Sequence, residues 1–324
     1  MSMIVNDRNT VGENLSTVIV RAIEKRMKDD PMVVMLEADL GSASGTLEIR
    51  NTRVEQFVEC GIAEANMIGV AAGMSLLGFK PFVHSFASFI SRRAFDQIYV
   101  SGGYAQTTIN IYASDPGFAS THNGGTHTTF EDVAILNTVP NCIISDPADA
   151  VAAEWMVNAF FEEKGVHYMR CSRKAVRNIY KPGSKFSIGH GNILKQGSEI
   201  LIIGAGELIS EALDAADILD QKGWSTEVID PVTIKPFDDK LLLHEASGKK
   251  AVLTIENASV YGGLGSIVNS LYFTHGISMK VHNFGVKDKF GEIGDKEYLK
   301  KQFCLTAQDL VACAESLMMR KEQA

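Results

Sequence analysis

The chain has 324 residues, about twice the length of a typical single domain, which favours two domains. Hydrophobic residues make up 45% and charged residues 22% of the sequence, proportions that exclude a disordered, collagen-like or coiled-coil protein. The net charge of −8 argues against a nucleic-acid partner, whereas a small phosphorylated molecule needs only a local pair of arginines.

Residues 1–30 contain no positively charged segment followed by an apolar stretch and a cleavage site, and no later run of uncharged apolar residues approaches about 18. The five cysteines are odd in number and lack C-x-x-C spacing, a pattern typical of reduced thiols. We therefore expect a cytoplasmic chain without a membrane partner, a disulfide or a zinc site.

The first half of the chain alternates between predicted helices and strands. Apolar residues recur at helical spacing from Glu13 to Asp29, and Pro31 ends this helix before a buried strand at residues 32–36. The later predicted strands are 81–85, 108–113 and 142–145, and the later predicted helices are 63–77 and 148–161. This alternation predicts a mostly parallel sheet.

Turn formers and charges at residues 180–185 interrupt this pattern and predict a linker. A second alternation follows it, with predicted strands 200–203, 227–230, 251–256 and 280–284 and predicted helices 208–219 and 266–273. The predicted fold class is therefore α/β with two domains, 1–182 and 190–324, each a mostly parallel sheet flanked by helices.

One turn of the second domain has the spacing of a dinucleotide-binding motif. Gly204-Ala-Gly206 follows a predicted strand and precedes a predicted helix, but Ile209 stands where such a site needs a small residue. The acidic residue after the next strand, Asp230, is followed by Pro231. We interpret the turn as structural. Because the sequence contains no Walker A, H-E-x-x-H or G-x-S-x-G motif, the corresponding chemistries have no support.

Three stretches of the first domain carry candidate chemistry. Glu64 begins a helix of small and apolar residues that offers no charged face, so its carboxylate is either a helix-terminal charge or a buried group able to share a proton with a ring nitrogen. Phe86 and Phe89 are spaced three apart and precede Arg92, and a glycine-rich loop at residues 121–127 holds two histidines. Phenylalanine stripes are usually core and loop histidines are usually exposed, but together these stretches indicate a site.

Taken in chain order, these stretches resemble the transketolase family over essentially the whole chain. The matching motifs are Ala38-Asp39-Leu40, Gly61-Ile62-Ala63-Glu64-Ala65-Asn66-Met67, Phe86-Ala87-Ser88-Phe89, Gly124-Gly125-Thr126-His127, Pro140-Asn141 and Asp146-Pro147-Ala148-Asp149. Each motif alone is weak evidence for the family, whereas several motifs in the same order along the chain are specific for it. The resemblance implies a pyrimidine-binding domain of thiamine diphosphate enzymes followed by a transketolase C-terminal domain.

The resemblance also implies residue roles. In that family the glutamate at the position of Glu64 contacts N1′ of the cofactor's aminopyrimidine, and aromatic residues at the positions of Phe86 and Phe89 form the slot for this ring. The implied cofactor-binding residues are Glu64, Phe86, Phe89, Asp39 and Arg92. The implied catalytic residues are Glu64 and His127, and the implied substrate-binding residues are Arg8, Asn123, His127 and Arg173. Arg8 and Arg173 match phosphate-binding arginines, with a surface salt bridge as the alternative for each.

Full-length members of the family hold Mg²⁺ and the diphosphate through a Gly-Asp-Gly motif, which does not occur in this sequence. The resemblance therefore implies a separate N-terminal subunit that carries this motif and most of the Mg²⁺ contacts, with the cofactor lying between the two chains. We expect an α₂β₂ assembly and no metal ligands in this chain.

Two positions depart from ordinary transketolases. A histidine of that family lies within the stretch occupied here by Ala113-Ser114-Asp115, and an aspartate stands where this chain has Asn123. These differences predict an unusual ketose phosphate, branched or differently substituted. The stretch from Arg92 to Gln97 is closer to deoxyxylulose-phosphate synthases and to E1 β subunits of 2-oxo-acid dehydrogenases.

The function that the resemblance implies is the transfer of a two-carbon ketol unit from a ketose phosphate to an aldose acceptor. The alternatives are an E1 β subunit, a deoxyxylulose-phosphate-synthase-like enzyme half, and a regulatory or scaffolding subunit without activity. The loop that ends at His127 and the two arginines favour ketol transfer over the E1 reaction. A non-enzymatic subunit has no need of Glu64 or of the two phenylalanines.

Overall fold

The computed structural model describes residues 3–319, in which strands and helices alternate. Residues 1–2 and 320–324, at the outer ends of the two predicted domains, lie outside the described residues. The strands are β1 Val11–Asn14, β2 Val33–Glu37, β3 Phe57–Glu59, β4 Lys80–Phe86, β5 Ile109–Ser114, β6 Ile143–Ser145, β7 Val166–Cys171, β8 Ala175–Arg177, β9 Asn192–Lys195, β10 Ile200–Gly204, β11 Thr226–Asp230, β12 Thr233–Lys235, β13 Ala251–Ser259 and β14 Val281–Val286. The helices are α1 Leu15–Asp29, α2 Gly41–Ser44, α3 Leu47–Thr52, α4 Glu64–Leu76, α5 Ala87–Arg93, α6 Phe95–Gln97, α7 Asp132–Asn137, α8 Ala150–Phe160, α9 Ile209–Gln221, α10 Asp239–Ala246, α11 Leu264–Thr274, α12 Lys296–Gln302 and α13 Ala307–Met319.

The first domain is built on a seven-stranded sheet of order β12-β6-β7-β5-β4-β2-β3. All neighbours in it are parallel except β12, which pairs antiparallel with β6. Helices α1 and α8 cover one face, and α4, α5 and α7 cover the other. Because both faces are covered, β2, β5 and β7 are buried along their whole length, as is typical of central parallel strands.

The second domain is built on a five-stranded sheet of order β14-β13-β10-β11-β9. Four of its strands are parallel, and β9 joins the edge antiparallel to β11. Helices α9 and α13 pack on one face and α10 and α11 on the other. The predicted two-domain α/β fold with mostly parallel sheets is confirmed. Within residues 3–319, no helix is long and apolar enough to cross a membrane.

The two domains share a buried polar contact. Strand β12 comes from the second half of the chain but completes the first sheet. Arg170 is fully buried and donates to Asp132 (2.7 Å), to Asp146 (2.5 Å) and to the carbonyl of Asn257 in β13 (2.9 Å). The turn Gly204-Ala205-Gly206, which was predicted to be structural, packs against Asp146 of this network. The contact is so close that a side chain at Gly206 would collide with Asp146. A fully hydrogen-bonded buried network of this kind holds two surfaces in one arrangement.

Glu256 of β13 is a buried carboxylate that binds the first turn of α11. Its two oxygens accept the backbone N–H groups of Leu264 (2.8 Å) and Gly265 (2.9 Å). Burial is the main influence on this group and raises the pKa of Glu256 to about 7, from an ordinary value of 4.5. The folded chain therefore binds a proton here that the unfolded chain releases between these two pH values.

This shift predicts a pH-dependent effect of Glu256→Gln. Because the folded pKa is raised, the contribution of Glu256 to stability falls as pH rises from about 4.5 to about 7. The variant lacks this titration, so the free energy of unfolding of the variant should improve relative to wild type by about 1 kcal/mol per pH unit between about pH 5 and pH 7. Denaturant unfolding across this range measures it. The exposed Glu55→Gln is the control, and a pH-independent difference for Glu256→Gln would contradict the assignment.

Candidate functional site

The candidate residues collect at the carboxyl edge of the first sheet. Phe86 is the last residue of β4, Asp115 follows β5 and Arg173 follows β7, while Glu64 begins α4 shortly after β3. Because parallel strands end at the same edge of a sheet, residues far apart in the chain meet there. This edge is where open α/β sheets bind their ligands.

Glu64 is a buried acid with one cationic partner. Its side chain is 1% exposed, and its carboxylate accepts hydrogen bonds from Ser85 Oγ (3.0 Å) and from Arg93 Nη1 (2.9 and 3.2 Å). Its position in the first turn of α4 places the negative charge at the favourable end of the helix dipole. The result is a buried carboxylate held in one position by its hydrogen-bond partners.

Beside Glu64 lies a group of three rings, Phe86, Phe89 and His127, which we call the aromatic cluster. The rings of Phe86 and Phe89 are 5.7 Å apart, and the His127 ring meets them edge-on at 5.9 and 5.0 Å. The Arg93 guanidinium lies over the Phe89 ring at 4.3 Å. Flat apolar faces next to a buried carboxylate suit a heteroaromatic ring that carries a basic nitrogen.

Arg173 is fixed near Phe86 by three hydrogen bonds. Its Nε and backbone N–H donate to the carboxylate of Asp115 (2.6 and 2.8 Å), and its Nη1 donates to the carbonyl of Ala43 (2.9 Å). Its guanidinium lies 5.0 Å from the Phe86 ring. Within residues 3–319 no hydrogen bond is present at Nη2, so this part of the planar fork is able to bind an anion.

The structure brings together Glu64, Phe86, Phe89, His127 and Arg173, but it places other predicted residues elsewhere. Arg92 binds Glu131 and the carbonyl of Thr128 (2.8 Å), so the cationic partner of Glu64 is its neighbour Arg93. Arg8 forms an ion pair with Asp217 of α9.

Asp39 and Asn123 are both exposed. Asp39 adopts a left-handed backbone conformation (φ 61°), and its backbone N–H donates to Glu59 (2.8 Å). Asn123 ends the turn of 3₁₀ helix Gly117–Asn123, four residues before His127. Both side chains lie on surface that a bound molecule or a second chain could reach.

A buried polar network that the sequence did not indicate lies beneath this edge. Glu37 accepts hydrogen bonds from Ser44 and Thr46 (2.7 Å each) and lies 2.9 Å from His84 Nδ1, while His84 Nε2 lies 2.9 Å from Ser114 Oγ. Burial acts to raise the pKa of Glu37, but His84 and the two hydroxyl groups outweigh it and lower this pKa. The network joins the ends of β2, β4 and β5.

Two models of known protein families match the chain. The transketolase pyrimidine-binding domain matches residues 13–178, and the transketolase C-terminal domain matches residues 189–310. Among the described residues, no group of three or more His, Cys, Asp or Glu side chains is arranged to hold a metal ion.

Three similar proteins span nearly the same length as this chain. The 6-deoxy-6-sulfo-D-fructose transketolase subunit SqwH of Clostridium sp. (strain MSTE9) is 37% identical over 305 residues, which are 94% of each chain. A putative transketolase C-terminal section of Methanocaldococcus jannaschii is 34% identical over 294 residues, 90% of this chain and 91% of that one. A solved split gene transketolase, described as an inactive beta4 tetramer, superposes with a TM-score of 0.85 at 33% identity and covers 96% of this chain and 100% of its own.

The two adjacent arginines provide a matched test of the pairing with Glu64. Arg93→Met leaves a buried carboxylate without its cation, so we expect the free energy of unfolding to fall by about 2 kcal/mol. Arg92→Met breaks a more exposed pair with Glu131, and we expect a loss of about 0.5 kcal/mol. Denaturant unfolding of both variants checks this order, and a larger loss for Arg92→Met would refute the pairing.

Proposed function

Because the chain belongs to the transketolase family, we propose that it is the C-terminal subunit of a split, thiamine diphosphate-dependent transketolase. The proposed reaction is the transfer of a two-carbon ketol unit from a ketose phosphate to an aldose or aldose phosphate. The observation that carries the proposal is the buried Glu64 carboxylate beside the aromatic cluster.

The residues present fit the aminopyrimidine part of this cofactor. When bound, thiamine diphosphate supplies a carbon nucleophile that attacks the ketose carbonyl. Glu64 would hold the proton at N1′ of the pyrimidine ring, and Phe86 and Phe89 would exclude water from that hydrogen bond and so strengthen it. Since Arg93 covers the face of Phe89, a ring that stacks on this face would replace its guanidinium.

The proposal includes a partner subunit. The sequence lacks the Gly-Asp-Gly motif, so the Mg²⁺ and diphosphate contacts are assigned to an N-terminal chain in an α₂β₂ assembly in the cytoplasm. The similar proteins support this assignment, because SqwH is named a subunit and the solved split transketolase is described as inactive as a tetramer of β chains.

Arg173, His127 and Asn123 are the proposed substrate contacts. Arg173 would bind the terminal anion of the ketose, and His127 would orient its oxygen atoms. Ordinary transketolases carry a histidine within the stretch Ala113-Ser114-Asp115 and an aspartate at the position of Asn123, so we propose a differently substituted ketose. A sulfonated ketose is the second candidate donor, which the likeness to SqwH favours.

Mixing both subunits with a ketose phosphate and an aldose phosphate tests the reaction class. Transfer of a two-carbon unit supports the proposal; it appears as a ketose two carbons longer than the acceptor and an aldose two carbons shorter than the donor. Acylation of a lipoyl domain without ketol transfer would instead identify an E1 β subunit.

The role of Glu64 predicts the behaviour of Glu64→Gln in the reconstituted complex. Loss of the group that shares a proton with N1′ should lower kcat by about 10² or more, while the complex still assembles. Steady-state kinetics and size-exclusion chromatography measure the two effects. Glu55→Gln, which changes an exposed glutamate in the same way, should retain wild-type turnover. Equal turnover of Glu64→Gln and wild type would contradict the assigned role.

Substitution of Arg173 tests how the donor anion is held. Arg173→Lys keeps a cation beside Asp115 but removes the second arm of the fork, so KM for a ketose phosphate or sulfonate should rise about tenfold. KM for a ketose without a terminal anion should stay unchanged. The same assay with Arg8→Lys should show no such selectivity, because Arg8 is paired with Asp217. An equal rise in KM for charged and uncharged ketoses would contradict the anion-binding role of Arg173.

A further inference from the structure

The loop that carries Asn123 and His127, residues 117–130, is held between the two domains. On the side of the first domain, the His127 ring packs on Phe86 and Phe89. Both ends of the loop are hydrogen-bonded to β13 of the second domain. The N–H of Phe118 donates to Asn257 Oδ1 (3.0 Å), and the carbonyl of Phe130 accepts from the N–H of Ser259 (2.6 Å).

The middle of this loop packs against residues 287–295 of the second domain, which we call the bracing segment. A methyl group at Gly291 would lie 2.5 Å from Cβ and Oγ1 of Thr128. One at Gly125 would lie 2.9 Å from the carbonyl oxygen of Gly291, and one at Gly124 would lie 3.0 Å from Cγ1 of Ile293. The backbones of Gly125 and Gly291 therefore meet with no room for a side chain, and the side chains of Thr128 and Ile293 pack closely on Gly291 and Gly124.

Hydrogen bonds within the loop connect the contact with the bracing segment to His127. Thr128 is buried, and its Oγ1 bonds Ser120 Oγ (2.6 Å) and the carbonyl of Gly124 (2.9 Å). The same Gly124 carbonyl accepts the backbone N–H of His127 (3.0 Å). A shift of Gly124 or Thr128 therefore moves the His127 backbone directly.

From these contacts we infer that Gly291 and Ile293 are positioning residues that set the location of His127 in the substrate site. The second domain, which contains none of the residues predicted to touch cofactor or substrate, thereby determines the geometry of the site. The inference rests on the proposed function, because His127 is assigned to substrate there. Displacements of about 1 Å at such residues are enough to cost up to about 10² in rate.

The placement of His127 is tested in the full-length chain without any assay of activity. Histidine labelled with ¹³C at Cε1 gives one signal per histidine, and His127→Gln identifies the signal of His127. Because ring currents of Phe86 and Phe89 act on this group, Gly291→Ala and Ile293→Ala should both shift its signal. Lys287→Ala changes an exposed residue of the same segment and should leave the signal in place. An unshifted His127 signal in both variants overturns the inference.

Kinetics of the reconstituted complex separate positioning from a general loss of structure. Gly291→Ala and Ile293→Ala should each raise KM for the ketose phosphate about tenfold while the Kd of thiamine diphosphate is unchanged. In a His127→Ala background the same substitutions should alter KM by less than about twofold, because the side chain that they displace is absent. An equal effect in both backgrounds overturns the inference.

The NMR and kinetic experiments together distinguish a failure of this inference from a failure of the proposed function. If the wild-type complex transfers no ketol unit, the proposed function fails and the spectra of the full-length chain still decide the placement of His127. Ile293→Ala only shortens an exposed side chain, so it keeps the test decisive if Gly291→Ala does not fold.

Discussion

The pairing of Glu64 with Arg93 is the constraint around which the site is organised. A carboxylate removed from water costs several kcal/mol unless a cation and further donors compensate it. Glu64 meets this requirement with the start of α4, the Ser85 hydroxyl and the Arg93 guanidinium. These groups come from α4, β4 and α5. Because one buried charge needs all of them, it fixes these three elements relative to each other. Phe89 receives the Arg93 guanidinium on its face as a consequence.

The sequence predicted the main strands and helices because their hydrophobic periodicity is strong, and most observed ends fall within about three residues of the prediction. It missed β7, a fully buried central strand, because His167 and Arg170 interrupt the apolar pattern. Both side chains are buried with partners from distant parts of the chain, Asn110 for His167 Nδ1 and Asp132 for Arg170. Periodicity carries no record of such partners, so polar residues that are paired in the core read as exposed.

The candidate site shows the same limit, because the sequence does not reveal which distant residues pair with each other. Glu64, Phe86, Phe89 and His127 were predicted together because their motifs occur in the order of a known family. The structure brings the three rings into contact, and Arg93 links Glu64 to Phe89. The pairing of Glu64 with Arg93 was not available from the sequence, in which only Arg92 was assigned, as a cofactor contact. The two arginines lie three and four residues after Phe89, and both spacings place a side chain on the same helical face. Only the position of α4 decides which arginine reaches Glu64.

The buried network at the domain boundary connects the chemistry of the site to the second domain. Arg170 is held by two carboxylates of the first domain and by the carbonyl of Asn257 in β13. The side chain of Asn257 also accepts the backbone N–H of Phe118. A rigid shift of β13 would leave buried polar groups without partners, which is costly, so the two domains are fixed relative to each other. This rigidity is what allows a loop of the first domain to be placed by Gly291 and Ile293 of the second, because close-packed contacts leave little room for either segment to shift.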